Sequence, residues 1–140
     1  MRVLVPVARN GQGEEAAELA FELFAGERVV LLHVINPTEA GLSLESTMPS
    51  FPDGWYEARK EEAEEMFDGI EAAAAEHDVT VERRTKLGSP ARKVVEVAEE
   101  MEVDHVVMGN HGRGGVSRIL LGSVAEQVVR RSPVPVTIAR

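Results

Sequence analysis

From Gly109 to Ser123 the chain reads GNHGRGGVSRILLGS, the stretch best suited to hold an anion. Glycines at 109, 112, 114, 115 and 122 let backbone N–H groups turn toward a ligand with no Cβ in the way. Its only charged side chains are Arg113 and Arg118, in a chain whose formal charge is −9. Backbone donors, two guanidinium groups and the start of a helix at Ser123 together suit a phosphate. A plainer reading has the glycines closing turns and Ser123 capping its helix. Capping and phosphate binding use neighbouring groups, so both readings can hold.

Other constellations are weaker. Gly11-Gln12-Gly13-Glu14-Glu15-Ala16 matches the G-x-G-x-x-A pattern of dinucleotide sites. Glu14 and Glu15 would set negative charge where a pyrophosphate belongs, and Asn36 stands where the ribose-binding acid is expected. A tight turn into an acid-started helix explains the pattern better. There is no G-x-x-x-x-G-K-[ST] loop and no serine in a nucleophile elbow. His33, His77, His105 and His111 lack metal-ligand spacing; His33 and His105 read as satisfied core or edge histidines, and His111 as a turn residue within reach of a phosphate. No acid, base and nucleophile set is visible, so turnover is limited to slow hydrolysis aided by positioning and Arg113.

Composition narrows the classes further. A chain of 140 residues, 44% hydrophobic and 28% charged, suits one globular domain spanning 1–140. It has no cysteine, which excludes disulfides, Cys-ligated zinc and thiol chemistry. No apolar run approaches the roughly 20 residues that span a bilayer. The N-terminus enters a strand pattern directly, without a signal-peptide layout, which makes the cytoplasm the expected location. The acid excess argues against nucleic acid and anionic membrane as partners. Lysine occurs only at 60, 86 and 93. An acidic, lysine-poor surface fits a halophilic source, where salt screens self-repulsion; it also fits an acidic cytosolic protein with arginine-rich codon usage.

The elements that must position the glycine stretch follow from periodicity. Arg2–Val7 and Arg28–Ile35 are continuous apolar runs, as expected of strands buried on both faces of a parallel sheet. Between them a turn at Arg9-Asn10-Gly11 leads into a helix over Gly13–Ala25. Ala16, Ala17, Ala20, Phe21, Leu23 and Phe24 form its core face, and Gly26 its stop. Asn36–Pro52 is irregular but carries Leu42, Leu44, Met48 and Phe51; it reads as a flap over the crevice or as a packed insertion. Asp53 is expected to cap a helix running to about Asp78. Met66, Phe67, Ile70 and the alanines at 72–75 face its core, and the glutamates at 61–65 face solvent.

Val79–Thr85 alternates apolar and polar residues, the mark of an edge strand. Ser89 caps and Pro90 opens a helix whose inward residues are Val94, Val97, Ala98 and Met101. Asp104–Met108 is the fourth strand. Ser123-Val124-Ala125-Glu126 reads as a capping box, with Arg130 and Arg131 near the helix's negative end. Val134–Ala139 is the last strand, marked as an edge by Pro135. The βαβαβαβαβ order predicts an α/β fold, an open parallel five-stranded sheet, doubly wound. Ligands of such sheets bind at the carboxyl ends of the strands where the order reverses.

Gly109, two residues, Gly112, nine residues and Gly122-Ser123 resemble the nucleotide-binding signature of the universal stress protein family. Asp104–Gly109, His111-Gly112-Arg113, Leu121–Val124 and the ending Pro133–Val136 share its wording, and the resemblance runs from Val3 to Ile138. It implies strand order 3-2-1-4-5, with the reversal beside Val7 and Gly109. It also implies an adenine nucleotide as ligand, ATP above all, with Mg or Mn brought by the nucleotide. The implied binding positions are Pro6, Val7, Ala8, Val34, Met108, Gly109, Gly112, Arg113, Gly114, Gly122, Ser123 and Val124. Of these, Gly112, Gly122 and Ser123 would meet the phosphates, and Val34 and Met108 would flank the adenine. The family's last strand pairs with a two-fold mate, which implies a homodimer through Val134–Ile138.

One departure matters. Nucleotide-binding members carry an aspartate just after the first strand, in Val-Asp-Gly-Ser, and here the matching residues are Val7-Ala8-Arg9-Asn10. Loss of one charged hydrogen bond costs about 1.5–3 kcal/mol, roughly 10- to 100-fold in affinity. Asn10 is a partial substitute. Three functions follow: a nucleotide-binding sensor or transmitter in a stress response, an interaction protein of the same fold and dimer that has lost the ligand, and a weak ATP hydrolase.

Overall fold

The apolar runs become strands because they alternate between two cores. In the computed structural model, which describes residues 1–8, 13–41, 53–110 and 121–139, β1 is Arg2–Pro6, β2 Arg28–Ile35, β3 Thr80–Leu87, β4 His105–Gly109 and β5 Val136–Ala139. All neighbours are parallel, in the order β3-β2-β1-β4-β5. The expected fold and strand order are therefore those found, with β3 and β5 at the edges.

Successive side chains of a strand point to opposite faces. Val3, Val5, Val29, Leu31 and Val107 join one core, while Leu4, Val30, Leu32, Val106 and Met108 join the other. Helices α1 (Glu14–Leu23) and α2 (Trp55–Ala74) cover the first face through Ala16, Ala17, Ala20, Phe21, Ala63, Phe67 and Ile70. Helices α3 (Pro90–Glu100) and α4 (Ser123–Arg131) cover the second through Ala91, Val94, Val97, Ala98, Ala125 and Val128. Each large aliphatic buried this way contributes about 1.5–3 kcal/mol.

The helix ends depart from expectation in several places. Helix α1 stops at Leu23, whose side chain is 58% exposed and adds nothing to the core. Helix α2 is capped in position by Gly54, not Asp53, and ends at Ala74, four residues short of Asp78. Gly54 takes the left-handed φ of +76° that a side chain resists, which displaces Asp53 from the cap. Of the alanines at 72–75 only Ala74 is buried. Ser89 occupies the cap of α3 with Pro90 behind it, yet its hydroxyl makes no capping bond. The capping box on α4 does not form either. Ser123 is already helical, Gly122 holds the cap position, and the Glu126 carboxylate pairs forward with Arg130 at 2.9 Å.

Strand β3 is strapped to α2. Arg83 lies over the Phe67 ring and donates to Glu71 at 2.9 Å and to Asp68 and Glu64 at 2.8 Å. Glu64, Asp68 and Glu71 follow i, i+4, i+7 spacing, one stripe of α2. Glu64, read from sequence as plain solvated surface, is thus part of an ion-pair network. The bonds to Glu71 and Asp68 raise the Arg83 pKa well above its ordinary value, against an opposing desolvation cost; Glu64 adds to the rise.

Candidate functional site

The order reverses between β1 and β4, and the carboxyl ends of these two strands carry several of the sequence-predicted positions that the structure describes. Strand β1 delivers Pro6, Val7 and Ala8. The first two are buried and Ala8 is half-buried. The Val7 N–H donates to the Leu32 carbonyl at 2.8 Å, so the pairing with β2 continues past the strand's end. On its other side the Val7 carbonyl meets His33 Nδ1 at 3.0 Å. A carbonyl only accepts, so Nδ1 carries the proton. His33 is the satisfied core histidine expected from sequence, 8% exposed.

Gly13 explains the second glycine pattern. Its φ is +100°, and a Cβ there would stand 2.7 Å from Val7 Cα and 2.9 Å from the Pro6 carbonyl oxygen. The glycine allows α1 to start hard against the end of β1. With Glu14 and Glu15 in the first turn of α1, that helix start repels anions, as the tight-turn reading requires.

Strand β4 delivers Met108 and Gly109. Met108 is fully buried in the α3/α4 core, and Val34 on β2 packs half-buried against the same cluster. Beyond Gly109, the Asn110 N–H donates to the Ala139 carbonyl of β5 at 3.1 Å. Its side-chain Oδ1 accepts from the Gly122 N–H at 2.9 Å. This residue was missed in the sequence. The only signal for it is its place, a short amide beside the last glycine of one strand and twelve positions before the glycine that starts the next helix.

Gly122 is buried with extended dihedrals (φ −63°, ψ 159°). Its carbonyl accepts the first intrahelical bond of α4, from Glu126 at 2.9 Å. The N–H groups of Ser123, Val124 and Ala125 precede that bond and have no partner within the helix. Gly122, at the cap position, has no side chain with which to cap them. Ser123 is exposed and Val124 half-buried. Aligned peptide dipoles leave about half a positive charge at such an end. Pro6, Val7, Ala8, Val34, Met108, Gly109, Asn110, Gly122, Ser123 and Val124 are all uncharged, while the first turns of α1 and α4 carry Glu14, Glu15 and Glu126.

Gly112, Arg113 and Gly114 lie outside the described residues, as do Gly115, Arg118, His111, the Arg9-Asn10-Gly11 turn, and Leu42, Leu44, Met48 and Phe51. The segment after β2 begins with a 3₁₀ turn, Pro37–Ala40, capped by the Asn36 side chain, which accepts from the Thr38 N–H at 3.0 Å. Among the described residues no group of three or more His, Asp or Glu could hold a metal, and no helix is long and apolar enough to cross a membrane. A cavity of about 480 Å³ opens at the opposite end of the sheet, beside Met1, Arg2, Glu27 and Asp104. There Glu27 is already paired with the amino terminus at 2.8 Å, and Asp104 with the Arg2 N–H at 2.9 Å.

The model of the universal stress protein family matches residues 1–140. Universal stress protein MJ0531 of Methanocaldococcus jannaschii is 32% identical over 143 residues, covering 99% of this chain and 81% of that protein. Universal stress protein MJ0577 of the same organism is 31% identical over 134 residues, 86% of this chain and 82% of that one. The solved structure of MJ0577 superposes with a TM-score of 0.81 at 29% identity, over 99% of this chain and 94% of the other. A universal stress protein solved in complex with cAMP superposes with a TM-score of 0.69 at 25% identity, over 100% and 96% of the two chains. The sequence signature, the strand order and the relatives agree, and the chain belongs to the universal stress protein family.

Proposed function

We propose that this protein binds an adenine nucleotide, ATP foremost, at the carboxyl ends of β1 and β4, and that occupancy rather than turnover is its output. The observation that carries the reading is the amino end of α4, where a glycine, Gly122, holds the cap position beside the end of β4 at the reversal of strand order. Backbone N–H groups of Ser123 and Val124 would take phosphate oxygens, joined by Gly112, Arg113 and Gly114 from the intervening stretch. Pro6, Val7, Ala8, Val34, Met108 and Gly109 would border the nucleoside. The residues at the ends of β1 and β4 and at Gly122–Val124 favour the reading, since they are uncharged, although α1 opens at the same end with Glu14 and Glu15. So does the cAMP held by the relative superposed above. A bound nucleotide brings its own divalent ion, Mg or Mn, and hydrolysis through it is at most slow.

As a sensor or transmitter in a stress response, the protein would act in the cytoplasm as one domain over 1–140. It would pair with a second copy through the apolar edge Val134–Ile138. Among the described residues strand β5 pairs with β4 alone, which leaves an outer edge of the kind a two-fold mate covers. Sedimentation equilibrium tests this part: a dimer mass is expected, and a monomer at every concentration removes it.

Calorimetric titration of ATP, ADP, AMP and cAMP, in low and in molar salt, tests the binding. Mass spectrometry of what stays with the purified protein completes it. Micromolar binding, or a co-purifying adenine nucleotide, is the expected result. A folded protein that binds none of the four in either salt removes the reading. One observation favours a second function in that event: Ala8 offers no side-chain acceptor at the end of β1. The protein is then a dimeric interaction module that keeps the fold without the ligand.

A further inference from the structure

Three segments meet at Asn110. Its N–H extends the ladder to the Ala139 carbonyl at the end of β5, and its Oδ1 receives the Gly122 N–H at the start of α4. The stretch that carries the family's glycine signature leaves β4 at this residue and returns to within one hydrogen bond of it, twelve positions later. Gly122 is buried, and a buried N–H without an acceptor is costly. The acceptor at position 110 therefore satisfies the N–H of the residue that holds the cap position of α4.

We infer that Asn110 is a positioning residue for the phosphate subsite, a latch that holds both ends of the Gly109–Ser123 stretch together so that the donors of α4 face the end of β4. This rests on the nucleotide reading above and deepens it. The latch is specific in charge as well as shape. An aspartate would offer the same oxygen to Gly122 but would bring a negative charge to the mouth of an anion site. An amide supplies the acceptor without the repulsion.

Asn110→Ala and Asn110→Asp in the full chain separate these roles. Hydrogen exchange at the Gly122 amide reads the latch, and calorimetry with ATP and with adenosine reads the subsite. The alanine variant is expected to speed Gly122 exchange about tenfold or more and weaken ATP about tenfold, with adenosine affinity unchanged. The aspartate variant is expected to keep Gly122 as protected as in the parent, yet to weaken ATP about as much, again sparing adenosine.

Unchanged Gly122 exchange in the alanine variant overturns the inference. So does an equal loss of ATP and adenosine in that variant, which marks general damage. If the alanine variant does not fold, the aspartate variant decides: an unprotected Gly122, or full ATP affinity, overturns the inference. If the parent protein binds neither ligand, the nucleotide reading fails on its own. The exchange arm then still supports the latch if Gly122 is deprotected by alanine, and overturns it if not.

Discussion

The two ends of the sheet are built from different chemistry. At the amino ends of the strands, charged side chains tie the chain down. The amino terminus binds Glu27, the Arg2 N–H binds Asp104, and the Arg2 guanidinium donates to the Met101 carbonyl at 2.9 Å. At the carboxyl ends, an imidazole, an amide and a backbone N–H do the same work. His33 holds the Val7 carbonyl, Asn110 holds Gly122, and the Gly88 N–H donates to the Ile35 carbonyl at 2.9 Å. A carboxylate satisfies a buried N–H as well as an amide does, so satisfaction alone does not explain the contrast. The proposed nucleotide site would favour an amide over an acid at Gly122, while Glu14 and Glu15 still open α1 at this same end.

Substitutions can break this contrast at either end. Gly122→Val should have the largest effect. It places a branched side chain at a buried position one residue before the free donors of α4, and ATP affinity should fall at least 100-fold in a variant that still unfolds cooperatively. Unchanged affinity in the folded variant would assign the phosphates elsewhere.

Ala8→Asp probes the same end in the opposite direction. If the missing acid of the family pattern limits affinity, calorimetry should read a gain of 10- to 100-fold, about 1.5–3 kcal/mol. No gain would mean that the pocket has diverged beyond this one position.

Away from the site the expected effects are on stability. Arg83→Ala should cost about 1–2 kcal/mol in urea unfolding, as three partly exposed ion pairs and a ring contact are lost. The raised pKa of Arg83 sets the sign. A basic group whose folded pKa is raised contributes in full below its unfolded pKa, so this term is constant at ordinary pH and lost only in strong alkali. Salt is the better probe, and the cost of the substitution should shrink in molar salt. Asp104→Ala should be the mildest, about 1 kcal/mol, with ATP affinity untouched. A loss of nucleotide affinity from Asp104→Ala would erase the distinction between the two ends.

Much of the fold is legible because buried parallel strands leave a strong trace. Val29–Leu32 is apolar without a break since both faces are covered, and the bounds of β2, Arg28–Ile35, are those read from the sequence. Helix ends are harder to read. Asp53, Ser89 and Ser123 are all good capping residues, and none of them makes the capping bond that its type suggests. Local propensity is worth about 1 kcal/mol there, and the position of each helix against the sheet outweighs it. The same holds for Leu23, apolar but turned outward once α1 had seated Ala20 and Phe21.

The sequence by itself determined the class of fold, the order of its elements and the stretch that could cradle an anion, because periodicity and glycine spacing are properties of neighbours along the chain. Only the tertiary structure decided what lies across the site. Asn110 meets Gly122, His33 meets Val7, and Gly13 presses on the end of β1, each a contact between residues at least six positions apart. Such pairs leave no period to read. They are selected by where the parallel sheet brings its carboxyl ends together, where every buried donor and acceptor must find a partner.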